Sequence, residues 1–112
     1  MSAAPVIDPT VFRELQATAG AEFVSELVAT FLEEAPRMLD ELRGAQAAGS
    51  AERFRRAAHS LKSNGHTFGA GELGAQARAL ELGGLVADSA PIDALAAAYA
   101  RAAAALQELA RG

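Results

Sequence analysis

The sequence has 112 residues with 14 acidic and 10 basic side chains, a net charge of −4, and neither cysteine nor tryptophan. This composition excludes disulfide scaffolds and cysteine-based metal sites or nucleophiles, and the acidic balance argues against a nucleic-acid-binding protein. Hydrophobic residues make up 51% of the chain and about a quarter of it is alanine, which favours one all-α domain over residues 1–112.

No membrane or export segment is visible. The chain has no apolar run long enough to span a bilayer, and Met1–Pro5 lacks the basic and apolar stretches of a signal peptide. We therefore expect a cytoplasmic protein, monomeric by default, that does not contact membranes. Residues 1–7 are expected to form a loose lead before the first helix.

Two helices are predicted in the first half of the chain. Asp8 is a good N-cap, and Pro9 suits the first turn, so a short helix begins here and ends near Gly20. A long helix over 21–48 follows, with apolar residues spaced alternately by four and three. Pro36 lies inside it and is expected to kink the helix rather than end it, because the periodicity resumes afterwards.

Three further helices follow. Ser50 is the N-cap of a helix over 51–68, glycines separate it from a helix over 70–82, and Pro91 opens the last helix. Long amphipathic helices with short connections predict an antiparallel four-helix bundle, with the short N-terminal helix capping one end.

The third helix has a polar face that differs from an ordinary solvated one. At about 100° per residue, Arg55, His59, Lys62 and His66 lie roughly 80–140° from the core-facing direction. That direction is defined by Phe54, Ala57, Ala58, Leu61, Gly65 and Phe68. His59 is therefore not a core histidine, and the remaining alternative is a plain surface histidine.

The neighbours of His59 favour a chemical role. After Glu52 this helix has no acidic residue, while Arg55 and Lys62 lie one turn before and one turn after the histidine. A cationic stripe stabilises a group that gains about two negative charges, and a neutral imidazole offers a free lone pair near neutral pH. Ser63 is small and leaves room for a partner to approach. The pattern suits a histidine that accepts and releases a phosphoryl group.

The stretch 58–70 resembles the signature of histidine-containing phosphotransfer (HPt) domains. The family pattern has a histidine, a lysine three residues later, a small residue next and a glycine ten residues after the histidine, matched here by His59, Lys62, Ser63 and Gly69. Leu73 and the segment 79–81 also resemble the following helix of the family. Many members have glycine where this chain has Ser63, and serine is the smallest substitute that keeps helix propensity.

The resemblance implies roles for the matched residues. His59 would be phosphorylated on Nε2, and Lys62 would stabilise the phosphoryl group. Glu81 would accept a hydrogen bond from Nδ1–H and so fix the tautomer, although a solvated surface carboxylate is the alternative. Arg78, one turn earlier, is a further candidate for holding the phosphoryl group. His66 is a second, less favoured acceptor.

The resemblance also implies the partners. They are a response-regulator receiver domain and a sensor or hybrid histidine kinase, with Mg²⁺ held by the receiver and no cofactor bound by this chain. Arg55, Ser63, His66 and Arg78 are expected to contact the partner. Phe12 is expected to supply apolar docking surface, unless it packs onto the bundle instead.

Other functions fit the sequence less well. No GxxxxGK[ST] loop is present, so the chain lacks the parts of a kinase. His59 and His66 are seven residues apart, which is not the spacing at which two histidines of a helix share a metal ion. Arg53, Arg55, Arg56 and Lys62 lie on one helix of an acidic protein, which is weak support for nucleic-acid binding. A helical adaptor that binds a partner without phosphotransfer is the main alternative.

Overall fold

Five α-helices make up most of the chain. The computed structural model describes residues 5–111. In chain order the helices are α1 (Pro9–Ala19), α2 (Ala21–Ala48), α3 (Ala51–Thr67), α4 (Gly71–Gly83) and α5 (Ala90–Arg111). No strand occurs in these described residues, so the all-α prediction is confirmed. Within the same residues, no helix has both the length and the hydropathy needed to cross a membrane.

Local signals account for the helix ends. The Asp8 carboxylate accepts a hydrogen bond of 2.9 Å from the Thr10 N–H, and the proline that follows Asp8 occupies the first position of α1. Gly49, after the last residue of α2, has a left-handed backbone with φ of 68°. The Ser50 hydroxyl then accepts a bond of 3.4 Å from the Arg53 N–H and caps α3.

The helices pack against one another around a hydrophobic core. α2 packs against α3 and α5, α4 packs against the same two helices, and α1 packs against α2. The fully buried side chains of the described residues are all hydrophobic. Phe31 connects the helices, with its ring centroid 5.3 Å from that of Phe68 and 5.7 Å from that of Tyr99, which it meets edge-on.

Two expectations about the N-terminal region are wrong. Phe12 is only 2% exposed and belongs to the core, so it offers no docking surface. The helical pattern identified the apolar side of α1 but not that this side is covered by α2. Within the expected loose lead, Ile7 is 4% exposed and packs into the same core. Residues 1–4 of that lead lie outside the described residues.

α2 continues through Pro36 with help from α5. A proline has no N–H, so it cannot donate to the carbonyl four residues earlier, which is that of Leu32. The Tyr99 hydroxyl of α5 donates to that carbonyl instead, at 3.3 Å. A side chain of a neighbouring helix thus supplies the donor that the proline removes.

α3 and α4 approach each other closely at two glycines. A Cβ atom added to Gly65 would lie 3.1 Å from the backbone nitrogen and 3.3 Å from the Cα atom of Gly74. Only residues without a side chain allow this separation. The connection between the two helices includes Gly69, with φ of 77°, and its carbonyl accepts a bond of 2.9 Å from the Asp8 N–H.

The α4–α5 connection is attached to the end of α2. The Gln46 side-chain amide binds both backbone polar groups of Val86. Its Nε2 donates to the Val86 carbonyl, and its Oε1 accepts from the Val86 N–H at 3.0 Å. One side chain therefore fixes the backbone of a loop that lies forty residues away in sequence.

Candidate phosphotransfer site

His59 projects from α3 on the side away from the core. Its side chain is 55% exposed, whereas the adjacent Ala58 is fully buried. α3 buries its apolar side against α2 and α4, which leaves the histidine on the outer surface. The imidazole is therefore accessible to another protein.

Glu81 of α4 contacts both His59 and Lys62 of α3. Its Oε2 atom lies 2.6 Å from Nδ1 of His59, and its Oε1 atom lies 2.7 Å from Nζ of Lys62. The contact between Lys62 and Glu81 is an ion pair, because the ammonium and the carboxylate have opposite charges. The Glu81 side chain is only 12% exposed, and that of Lys62 is 23% exposed.

The surroundings of Glu81 keep it ionised. The Lys62 ammonium first, and His59 second, hold the pKa of the Glu81 carboxyl below its usual value, and partial burial opposes them. An ionised carboxylate only accepts hydrogen bonds, so this contact favours the neutral tautomer of His59 that has its proton on Nδ1. That leaves the Nε2 lone pair free on the exposed side chain.

Four other predicted site residues have exposed side chains. Arg55, Ser63, His66 and Arg78 are all exposed. The His66 ring lies over α4, so that a Cβ atom added to Gly74 would be 3.2 Å from its Nε2 atom. The structure therefore brings Glu81 to His59 and Lys62, and brings His66 to the glycine contact between α3 and α4.

Sequence reasoning missed two features between α2 and α3. Arg53 donates two hydrogen bonds to Glu41 of α2, at 3.0 and 2.8 Å, and this pair joins α2 to α3. Next to it is an open groove of about 370 Å³ between the same helices. The groove is lined by Glu34, Arg37, Met38, Glu41, Arg53, Arg56, Ala57 and Ser60. Alternating charges on one face of α2 were the only signal of it in the sequence.

No metal centre competes with this interpretation within residues 5–111. In that part of the chain, no three histidine or acidic side chains are close enough together to hold a metal ion. His59 and Glu81 form an imidazole–carboxylate pair beside the Lys62 ammonium group.

Comparisons with known proteins found a matching family and a similar solved structure. The model of the Hpt domain family matches residues 26–109. The crystal structure of histidine-containing phosphotransfer protein B (HptB) from Pseudomonas aeruginosa PAO1 superposes with a TM-score of 0.83. It is 25% identical in sequence, and the match covers 97% of each chain. Among curated proteins, no match to this sequence is found.

Proposed function

This chain belongs to the Hpt domain family, and we propose that it carries a phosphoryl group on Nε2 of His59 between the proteins of a phosphorelay. The observation that supports this most directly is the exposed imidazole whose Nδ1 atom lies 2.6 Å from a carboxylate. An imidazole held in this way offers a lone pair on Nε2 to an incoming phosphoryl donor.

The proposed reaction is a displacement at phosphorus. The Nε2 lone pair attacks the phosphorus of an aspartyl phosphate on a receiver domain, or of a phosphorylated kinase histidine. A P–N bond forms, the bond to the donor breaks, and the donor leaves as a free carboxylate or imidazole. The Nδ1 proton stays hydrogen-bonded to Glu81 throughout. The reverse displacement passes the phosphoryl group to the next aspartate.

The surrounding residues have distinct proposed roles. Lys62 stabilises the phosphoryl group electrostatically, and Glu81 orients the ring. Mg²⁺ is supplied by the receiver domain, where it neutralises developing charge, and this chain binds no cofactor. Ser63, His66 and Arg78 contact the partner on the exposed surface around His59.

A proposed arrangement of the five helices accounts for the position of this surface. We propose that α2–α5 form an antiparallel four-helix bundle and that α1 caps one end. Short connections support this, because α2 and α3 are separated only by Gly49 and Ser50. The bond from Asp8 to Gly69 supports the position of α1, because it ties the beginning of that helix to the α3–α4 turn.

A labelling experiment tests the function. The chain is incubated with a receiver domain that carries a labelled aspartyl phosphate, together with Mg²⁺, and acid-labile, alkali-stable label is measured. We expect wild type to be labelled and His59→Gln to remain unlabelled. His66→Gln is the matched histidine variant and should reach the wild-type final level.

Two outcomes would contradict the proposal. Label on His59→Gln at the wild-type level would show that another residue is the acceptor. A receiver domain that binds the wild-type chain without transferring label would favour the adaptor function instead.

A further inference from the structure

The charges at the candidate site are already balanced before a phosphoryl group arrives. The Lys62 ammonium lies 2.7 Å from the Glu81 carboxylate, and the two formal charges cancel. A phosphoryl group adds close to two negative charges at pH 7. Lys62 therefore shares its charge with Glu81 and cannot by itself compensate the phosphoryl group. A further cation is needed nearby.

The three arginines of α3 differ in whether they form an ion pair with a carboxylate. Arg53 makes two hydrogen bonds to Glu41, and Arg56 lies 3.9 Å from Glu52. Arg55 is exposed and forms no ion pair with any carboxylate of residues 5–111. Its guanidinium group is thus the unengaged cation on the first two turns of this helix.

Arg55 also has the right position relative to the imidazole. It precedes His59 by four residues, and side chains at this spacing are neighbours on a helix surface. Helical side chains lean toward the N-terminus, so the His59 ring leans toward the turn that carries Arg55. Glu81 contacts the ring at Nδ1, which leaves Nε2 to face other groups.

We propose that Arg55 binds the phosphoryl group on His59 and supplies the positive charge that Lys62 shares with Glu81. A guanidinium group presents parallel N–H donors that match two phosphoryl oxygens. The inference rests on the proposed function, because it requires His59 to carry the group. It assigns to Arg55 a contact with the phosphoryl group itself rather than only with a partner protein.

The test uses a small phosphoryl donor, so that docking of a partner does not enter. The full chain is phosphorylated with phosphoramidate, and the second ionisation of the phosphoryl group is followed by ³¹P NMR as the pH is varied. Arg55→Ala should raise the pKa of the phosphoryl group by about half a unit, a threefold effect typical of one exposed charge pair. Arg55→Lys should restore most of the shift.

Arg111→Ala is the control for net charge. Arg111 is at the end of α5, where it pairs with Glu108 at 3.4 Å, and its removal changes the total charge by the same amount. We expect the phosphoryl pKa of this variant to equal that of wild type. Equal pKa values for Arg55→Ala and Arg111→Ala would overturn the assignment, even if Arg55→Ala slowed transfer from a receiver domain.

The two proposals fail in different ways. Wild type that gains no phosphohistidine signal from phosphoramidate or from a receiver domain contradicts the proposed function, and the Arg55 assignment with it. If wild type gains the signal but the phosphoryl pKa is the same in wild type and Arg55→Ala, only the Arg55 assignment is contradicted.

Discussion

The hydroxyl group of Tyr99 takes the place of the N–H that residue 36 lacks, and donates to the Leu32 carbonyl at 3.3 Å. The two residues lie on α5 and α2, which are neighbours in the fold. A long helix can therefore contain Pro36 while the carbonyl it leaves unpaired still has a donor.

Removal of the Tyr99 hydroxyl should destabilise the protein. Tyr99→Phe keeps the ring against Phe31 but leaves the Leu32 carbonyl without this donor. We expect the free energy of unfolding to fall by about 1 kcal/mol, as measured by urea denaturation. In a Pro36→Ala background the backbone N–H is restored, and Tyr99→Phe should then cost clearly less. Equal costs in the two backgrounds would show that the bond does not compensate for the proline.

The glycine contact between α3 and α4 should be sensitive to a single methyl group. In Gly65→Ala the new Cβ would meet the backbone of Gly74 at 3.1 Å, so the helices must separate. We expect a loss of about 1–3 kcal/mol in the free energy of unfolding, despite the better helix propensity of alanine.

Gly44→Ala is the matched control for that change. Gly44 lies within α2, and a Cβ atom there would lie 3.4 Å from Nη2, at the end of the long Arg53 side chain, and not from backbone. Helix propensity should then dominate and leave stability unchanged or raised by up to about 1 kcal/mol. Thermal or urea denaturation of both variants measures the difference. A Gly65→Ala protein as stable as Gly44→Ala would contradict the close packing.

Glu81 should control the tautomer of His59. In Glu81→Ala the hydrogen-bond acceptor 2.6 Å from Nδ1 is lost, so the proton of the neutral ring should redistribute toward Nε2. We expect phosphoryl uptake from a receiver domain to slow roughly tenfold, the size of one lost charge-assisted hydrogen bond. Glu81→Gln keeps an oxygen acceptor and should lie between this variant and wild type. Long-range ¹⁵N–¹H NMR of the imidazole reports the tautomer, and an unchanged Nδ1–H population in Glu81→Ala would exclude the role.

The stabilising effect of Glu81 should depend on pH with a definite sign. Its pKa is lowered in the folded protein, chiefly by Lys62 and then by His59. Such a group stabilises the fold above the ordinary carboxyl pKa of about 4.3, and this contribution is lost as the pH falls through the lower folded value. The difference in the free energy of unfolding between wild type and Glu81→Gln, measured by urea denaturation, should be constant near pH 7. It should disappear below about pH 4. Glu108→Gln, at an exposed site, is the control for the loss of one carboxylate.

The helices could be predicted because their signals are local. The predicted range 21–48 is that of α2, and predicted starts at Pro9 and Ala51 are those of α1 and α3. Caps, glycines and the spacing of apolar residues act within one or two turns, so a single sequence contains them. The all-helical class followed from the same local information.

The contacts between helices could not be predicted in the same way. The sequence predicted that Lys62 would stabilise the phosphoryl group, but it did not predict that Lys62 pairs with Glu81. That pair depends on the separation of α3 and α4, which Gly65 and Gly74 set from two different helices. Phe12 shows the same limit, because periodicity identifies an apolar face without identifying the helix that covers it. The structure has the His59–Glu81 contact, while the role of Glu81 in transfer stays a prediction.

The two hydrogen bonds of the Gln46 amide also bear on the candidate site, because they hold the chain close to Glu81. Val86, which it grips by both backbone groups, follows Glu81 by only five residues. We expect these two hydrogen bonds to limit fraying of the C-terminal turn of α4. Gln46 therefore fixes, from the C-terminal end of α2, the connection that follows the helix turn containing Glu81. A substitution of Gln46, on a different helix from His59, should therefore make the orientation of the His59 ring less well defined.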